Sequence, residues 1–159
     1  MGDLTHVNAA GAAQMVDVTG KAVTSRVAVA TGVMRTTPEV VSLLESNGLK
    51  KGDALAVARV AGIMGAKRTP DLVPLCHPLP VTGVTVDFSL DASSIGITAT
   101  VRTSGQTGVE MEALTAVTVA GLTLHDMIKA VDPAAVLSEV RLERKEGGKT
   151  GLWTRPEGR

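Results

Sequence analysis

Val23, Val27, Val29 and Val33 fall on alternate positions between residues 23 and 33, which predicts a strand with one buried face. Thr36-Thr37-Pro38-Glu39 then reads as a helix start, with a threonine cap, a proline in the first turn and an acid at the positive dipole end. That helix carries Val40, Val41, Leu43 and Leu44 and stops at Asn47-Gly48. After the turn Lys50-Lys51-Gly52-Asp53, Asp53 can cap a second helix running to about Lys67. Its alanines, with Gly62 and Gly65, make a small face that lets a neighbour approach closely. Thr69 to Pro80 holds four prolines and predicts an ordered loop without helix or central strand.

A hairpin follows. Val84, Val86, Phe88 and Leu90 alternate with polar residues, Asp91-Ala92-Ser93-Ser94 turns, and Ile95, Ile97, Ala99 and Val101 alternate back. A long helix is expected from roughly Val109 to Val131, ended by Asp132-Pro133. Ser138 to Lys145 alternates again, with Val140 and Leu142 inward and Arg141 and Glu143 outward. Gly147-Gly148 turns the chain, and Trp153 falls in a short tail. The order strand, helix, helix, hairpin, helix, strand predicts an α+β fold, an antiparallel sheet with helices on one face. Residues 1–13 have no period and are expected to form a loose, flexible arm, leaving 14–159 as one domain.

Composition narrows the partners. Sixteen basic and sixteen acidic residues cancel, whereas a general nucleic-acid binder needs a basic excess; any anion site must be a local cluster. Phe88 and Trp153 are the only aromatics, so the core is built from side chains that each bury less area, and association with further copies would add burial. One cysteine, Cys76, excludes an internal disulfide and suits a reducing compartment. The N-terminus lacks signal-peptide character, and the apolar run Ala113–Leu124 is too short to span a bilayer. A soluble, cytoplasmic protein is expected.

Candidate chemistry is scattered. Lys149-Thr150 after Gly148 suggests a phosphate loop, but that motif requires glycine where the chain has Glu143, and no helix follows. What remains is a basic hook of Lys145 and Lys149 able to hold phosphate as point charges. Cys76 and His77 suggest a metal, yet one cysteine and three separated histidines do not make a four-ligand site. His77, set among prolines, reads either as a structural histidine or as a rigidly held acid, base or donor. Asp126 and Lys129 share a helix face; Glu112 lies fourteen residues before Asp126, close to that face but roughly 21 Å away along an unbroken helix. Two subunits with these helices antiparallel would bring Glu112 of one beside Asp126 and Lys129 of the other.

Taken together, Met15-Val16-Asp17-Val18, Lys21-Ala22-Val23-Thr24, Lys51-Gly52-Asp53, Ala66-Lys67-Arg68-Thr69, Leu75-Cys76-His77-Pro78-Leu79, Gly108-Val109-Glu110-Met111-Glu112 and Asp126-Met127-Ile128-Lys129 resemble the cyclic pyranopterin monophosphate synthases, the molybdenum cofactor biosynthesis protein C family. The resemblance runs from about Met15 to Gly151 and implies a ferredoxin-like fold and a homohexamer built as a trimer of dimers, with sites at subunit interfaces. It implies a lyase that converts 3′,8-cyclo-7,8-dihydroguanosine 5′-triphosphate to cyclic pyranopterin monophosphate and pyrophosphate. Carried over by position, Asp126, Lys129 and Lys51 become catalytic residues, and Leu75, Cys76, His77, Glu110, Met111, Glu112 and Lys145 bind substrate. Lys67, Arg68 and Arg26 are further candidates for neutralising the triphosphate. No redox cofactor is implied, and magnesium would accompany the phosphates. A catalytically inert nucleotide-binding oligomer and a structural assembly protein are the competing readings.

Overall fold

The computed structural model describes residues 6–158, so residues 1–5 of the expected arm and the terminal Arg159 lie outside the described residues. Five strands and four helices follow in the order β1 (Thr24–Arg35), α1 (Pro38–Glu45), α2 (Ala54–Lys67), α3 (Thr69–Leu72), β2 (Val81–Asp91), β3 (Ser94–Gly105), α4 (Glu110–Ile128), β4 (Val136–Glu146) and β5 (Trp153–Thr154). Every pairing is antiparallel and the sheet order is β2-β3-β1-β4-β5. With β5 set aside this is the split β-α-β-β-α-β arrangement of a ferredoxin-like domain.

The expected helix starts form as read. Thr37 Oγ1 accepts from the Val40 amide at 3.3 Å to begin α1, and Asp53 Oδ1 accepts from the Ala56 amide at 2.9 Å to begin α2. One expectation is corrected. The four-proline segment is not free of helix: α3 occupies Thr69–Leu72, with Pro70 in the first turn, where its missing N–H would have had no helical partner. Trp153 in the short tail pairs with Lys145 and adds β5.

One face of the sheet makes the core. Ala28, Ala30 and Met34 of β1, Ile95, Ile97, Ala99 and Val101 of β3 and Val86 of β2 are buried beneath Ala58 of α2 and Ala113, Val117, Ala120 and Leu124 of α4. Small residues set the helix spacing: a Cβ at Gly62 would lie 2.9 Å from the Ala116 carbonyl oxygen and 3.2 Å from the Ala120 Cβ. Not all of α2 is covered. Val57, Val60 and Met64 form an exposed apolar stripe, and α4 with its C-cap Lys129 exposes Met111, Thr118, Leu122, Asp126 and Lys129 along one face. Among the described residues, no helix is long and apolar enough to cross a membrane.

Strand β4 does not keep strict alternation. Val29 pairs with Arg144 but Ala30 pairs with Leu142, leaving Glu143 as an extra residue. A second shift follows between Thr31 and Val33, where Glu139 adopts a φ of 53°. Leu137, Leu142 and Lys145 are therefore the partners of the buried Met34, Ala30 and Ala28, although their parity along the chain differs.

Candidate active site

A cleft of about 510 Å³ opens where the proline-rich loop, the start of α4 and the end of β4 meet. Leu75, Cys76, His77, Glu110, Met111, Glu112 and Lys145 all line it. The sequence-predicted substrate-binding set is thus brought together from three distant stretches of chain. Val16, Val18 and Lys21 also line it; they belong to quoted motifs but had been given no role, because an irregular segment offers no period from which to place its side chains.

Each polar group is held by a definable contact. His77 Nε2 lies 2.7 Å from the Val16 carbonyl oxygen. A carbonyl only accepts, so Nε2 carries the proton and donates, and in the neutral ring Nδ1 is left as the acceptor. Lys145 donates to Glu110 Oε1 at 2.9 Å, across the helix start. Glu112, in the first turn of α4, is 3% exposed. Its pKa is pushed up to about 6 by burial, with the nearby Glu110 charge adding to the effect. Burial, and then the Glu112 charge, also push the Cys76 thiol upward, so it is no ready thiolate. The cleft therefore holds a carboxyl able to give or take a proton near neutrality, an imidazole of fixed orientation and a paired ammonium group.

The remaining predicted residues form a separate cluster. Lys51 Nζ donates to both Asp126 Oδ2 and the Asp126 carbonyl at 2.9 Å, and Lys129 Nζ lies 2.8 Å from Asp126 Oδ1. The two ammonium groups hold the Asp126 carboxyl down to about 2, Lys129 contributing most. Helix α4 is continuous over its 19 residues, so Glu112 and Asp126 sit roughly 21 Å apart along its axis. Within one chain the two groups do not meet. Of the expected basic hook, Lys145 is instead part of β4 and is tied to Glu110, while Lys149 alone lies in the turn. Among the described residues, no three His, Cys, Asp or Glu side chains gather as a metal-ligating group.

Residues 15–148 match the model of the MoaC family. A Mycobacterium tuberculosis protein described as cyclic pyranopterin monophosphate synthase 2 is 62% identical over 154 residues, which cover 97% of this chain and 92% of that protein. Proteins described as cyclic pyranopterin monophosphate synthase from Streptomyces coelicolor and Dinoroseobacter shibae are 64% and 61% identical, covering 96% and 95% of this chain and 89% and 97% of their own lengths. With the family model spanning most of the sequence and the cleft built from the segments quoted above, the chain belongs to the MoaC family.

Proposed function

We propose that the protein is a cyclic pyranopterin monophosphate synthase, a phosphorus–oxygen lyase of molybdenum-cofactor biosynthesis. It converts 3′,8-cyclo-7,8-dihydroguanosine 5′-triphosphate to cyclic pyranopterin monophosphate and pyrophosphate. The observation that carries this reading is the closure of Leu75–His77, Glu110–Glu112 and Lys145 on one cleft, in a chain whose relatives at 61–64% identity bear that name.

The residue types suit the reaction. A cyclic monophosphate arises from a triphosphate when a hydroxyl oxygen of the same molecule attacks the α-phosphorus. The hydroxyl gives up its proton, and the bond from the α-phosphorus to its bridging oxygen breaks as pyrophosphate leaves. Rearranging the rings moves further protons. Glu112, titrating at about 6, can exchange protons near neutrality, while His77 and Lys145 orient the ring system. Lys51 stabilises negative charge on the phosphates or donates a proton to substrate, and Lys129 with Asp126 forms the acid–base pair. Asp126, held as a carboxylate, is the acceptor of that pair. Magnesium, when bound, would accompany the substrate's phosphates and add to the charge neutralisation by the lysines, and the reading invokes no redox cofactor.

The active unit is a homohexamer, a trimer of dimers in the cytoplasm, with each site completed by a neighbouring subunit. Two features support this. The cleft and the Asp126 cluster lie at opposite ends of one unbroken helix, on an exposed face whose midpoint is Thr118. Antiparallel pairing of that face about a two-fold axis near Thr118 brings Met111 and Glu112 of one copy to Asp126 and Lys129 of the other. The exposed Val57, Val60 and Met64 stripe offers further apolar area to cover.

The purified protein, incubated with the cyclised nucleotide, should release pyrophosphate together with the pterin product. Absence of both at enzyme concentrations equal to substrate would reject the reading.

A further inference from the structure

Ahead of β1 the chain folds back on itself beside the cleft. From His6 to Gln14 it makes a small hairpin in which Val7 bridges Ala13. The Asn8 amide donates to the Ala12 carbonyl and the Gln14 amide to the His6 carbonyl, each at 2.9 Å. Asn8 Oδ1 accepts from the Ala10 and Ala12 amides at 3.0 and 2.9 Å, and Gly11 turns the chain with a φ of +80°. Val16, Val18 and Lys21 then run along the cleft wall. This stretch is fastened at two carbonyls: Val16 accepts from His77 Nε2 at 2.7 Å, and Thr19 from Gln106 Nε2 at 3.2 Å.

Packing does not produce this order. Every residue from 6 to 15 is exposed, and a two-stranded hairpin that buries no apolar face is only marginally stable in water. Of the hairpin, His6 alone lines the cleft, in company with Val16, Val18 and His77. Its Nδ1 lies 3.3 Å from the Gln14 carbonyl oxygen. A carbonyl only accepts, so Nδ1 carries the proton, and in the neutral ring Nε2 is left as an acceptor. Among the described residues that Nε2 has no partner. This is the tautomer opposite to that of His77, whose Nε2 donates. The same segment thus sets both imidazoles of the cleft, His6 through the Gln14 carbonyl and His77 through that of Val16.

We propose that His6 is a further substrate-contacting residue, carried on a strap of residues 6–21 that closes on the ligand in the cleft. Its Nε2 accepts a hydrogen bond from an N–H or O–H on the edge of the bound ring system. The identity of that ligand rests on the synthase reading. A 7,8-dihydroguanine ring suits the contact, because its amino group and ring N–H groups are donors that need acceptors once water is excluded. Without ligand the hairpin is held by its own exposed hydrogen bonds and opens readily. With ligand, the His6 contact adds a third fastening to those at Val16 and Thr19, so the cleft closes without movement of the sheet or of α4.

Two amide substitutions in the full chain separate contact from scaffold. In His6→Gln the amide reaches the place of Nε2 and gives up the Gln14 contact. In His6→Asn it takes the place of Nδ1, keeps that contact and leaves nothing at Nε2. His6 is exposed, so neither change threatens the fold. For the cyclised nucleotide, kcat/KM should stay within about threefold of wild type in His6→Gln and fall about tenfold or more in His6→Asn. Equal rates in the two variants, or His6→Asn the faster, overturns the contact. Hydrogen exchange reads the strap without turnover. The cyclised nucleotide should slow exchange at the Asn8 and Gln14 amides about fivefold or more in wild type, and less than about twofold in His6→Asn. Equal slowing in both proteins overturns the contact at His6. Product formation with exchange unchanged overturns the strap and leaves the synthase reading standing. Slowing that depends on His6, in a protein that makes no product, supports the strap and overturns the synthase reading. Neither product nor slowing overturns both.

Discussion

Lys145 Nζ meets Glu110 Oε1 at 2.9 Å, and it can do so because Glu143 is an extra residue in β4. Strict alternation would carry Lys145 to the outer surface with Arg141 and Glu143; the bulge instead sets it opposite the buried Ala28, facing the helix side. The pair is about one-third exposed, so as an ion pair it contributes only about 1 kcal/mol or less to stability. Its position in the cleft matters more. Lys145→Met should leave the thermal midpoint nearly unchanged while kcat/KM falls about 100-fold, the usual cost of removing one charge-stabilising donor. Parallel melting curves and turnover measurements would check both halves of that statement.

Much of the fold was open to sequence reading, and the exceptions have physical causes. The caps Thr37 and Asp53, the hairpin at Asp91–Ser94 and the end of α4 before Pro133 all announce themselves, because each rests on local chemistry. The bulges at Glu143 and Glu139 do not. They depend on register against β1, a partner more than one hundred positions away in sequence, so parity counted along β4 alone misplaces Lys145. The cleft shows the same division. Its helical and proline-loop residues stood out, whereas Val16, Val18 and Lys21 come from an irregular segment placed by tertiary contacts such as the Val16 carbonyl with His77.

Glu112 gives the protein a pH signature. Its carboxyl titrates at about 6 in the folded chain against 4.5 without burial. Between those values the folded state keeps a proton that the unfolded state has lost, so stability falls as pH rises through the window. Above pH 6 the full penalty, about 2 kcal/mol, is present; below 4.5 it is absent. Glu112→Gln, which does not titrate, should therefore gain most of that stability at pH 7.5 and little at pH 4. Urea unfolding at both values and one protein concentration measures this, and an equal gain at both would contradict the burial argument. The same variant should lose the limb near pH 6 from the kcat/KM profile.

The contact of α2 with α4 makes a different prediction. In an exposed helix, Gly→Ala raises stability by about 1 kcal/mol through propensity. At Gly62 a methyl group would press on the Ala116 carbonyl, Val86 and Ala120, two of them in the helix that carries Glu112 and Asp126. Overpacking against backbone costs about 1–3 kcal/mol and should win. Gly62→Ala is expected to lower the thermal midpoint, whereas Gly52→Ala, where nothing lies within 4 Å but φ is +91°, reports backbone strain alone.

The two halves of the catalytic set can be separated genetically because they are separated by α4. Asp126 is exposed and its carboxylate contacts are with Lys51 and Lys129, so Asp126→Ala should fold normally and be inactive. Glu112→Ala removes the buried carboxyl at the other end and should also be inactive. If each site were contained in one chain, mixing the two variants could restore nothing, since every subunit would lack one component. A site shared across a two-fold axis behaves otherwise. A mixed dimer then has one interface site missing both groups and one with both intact. Random exchange of equal amounts makes half the dimers mixed, so activity per subunit should recover to about a quarter of wild type. Native mass spectrometry confirms that exchange has occurred. Complete exchange without recovered turnover would place Glu112 and Asp126 in separate roles within one chain. Recovery would fix the roughly 21 Å between them as the distance that the neighbouring subunit spans.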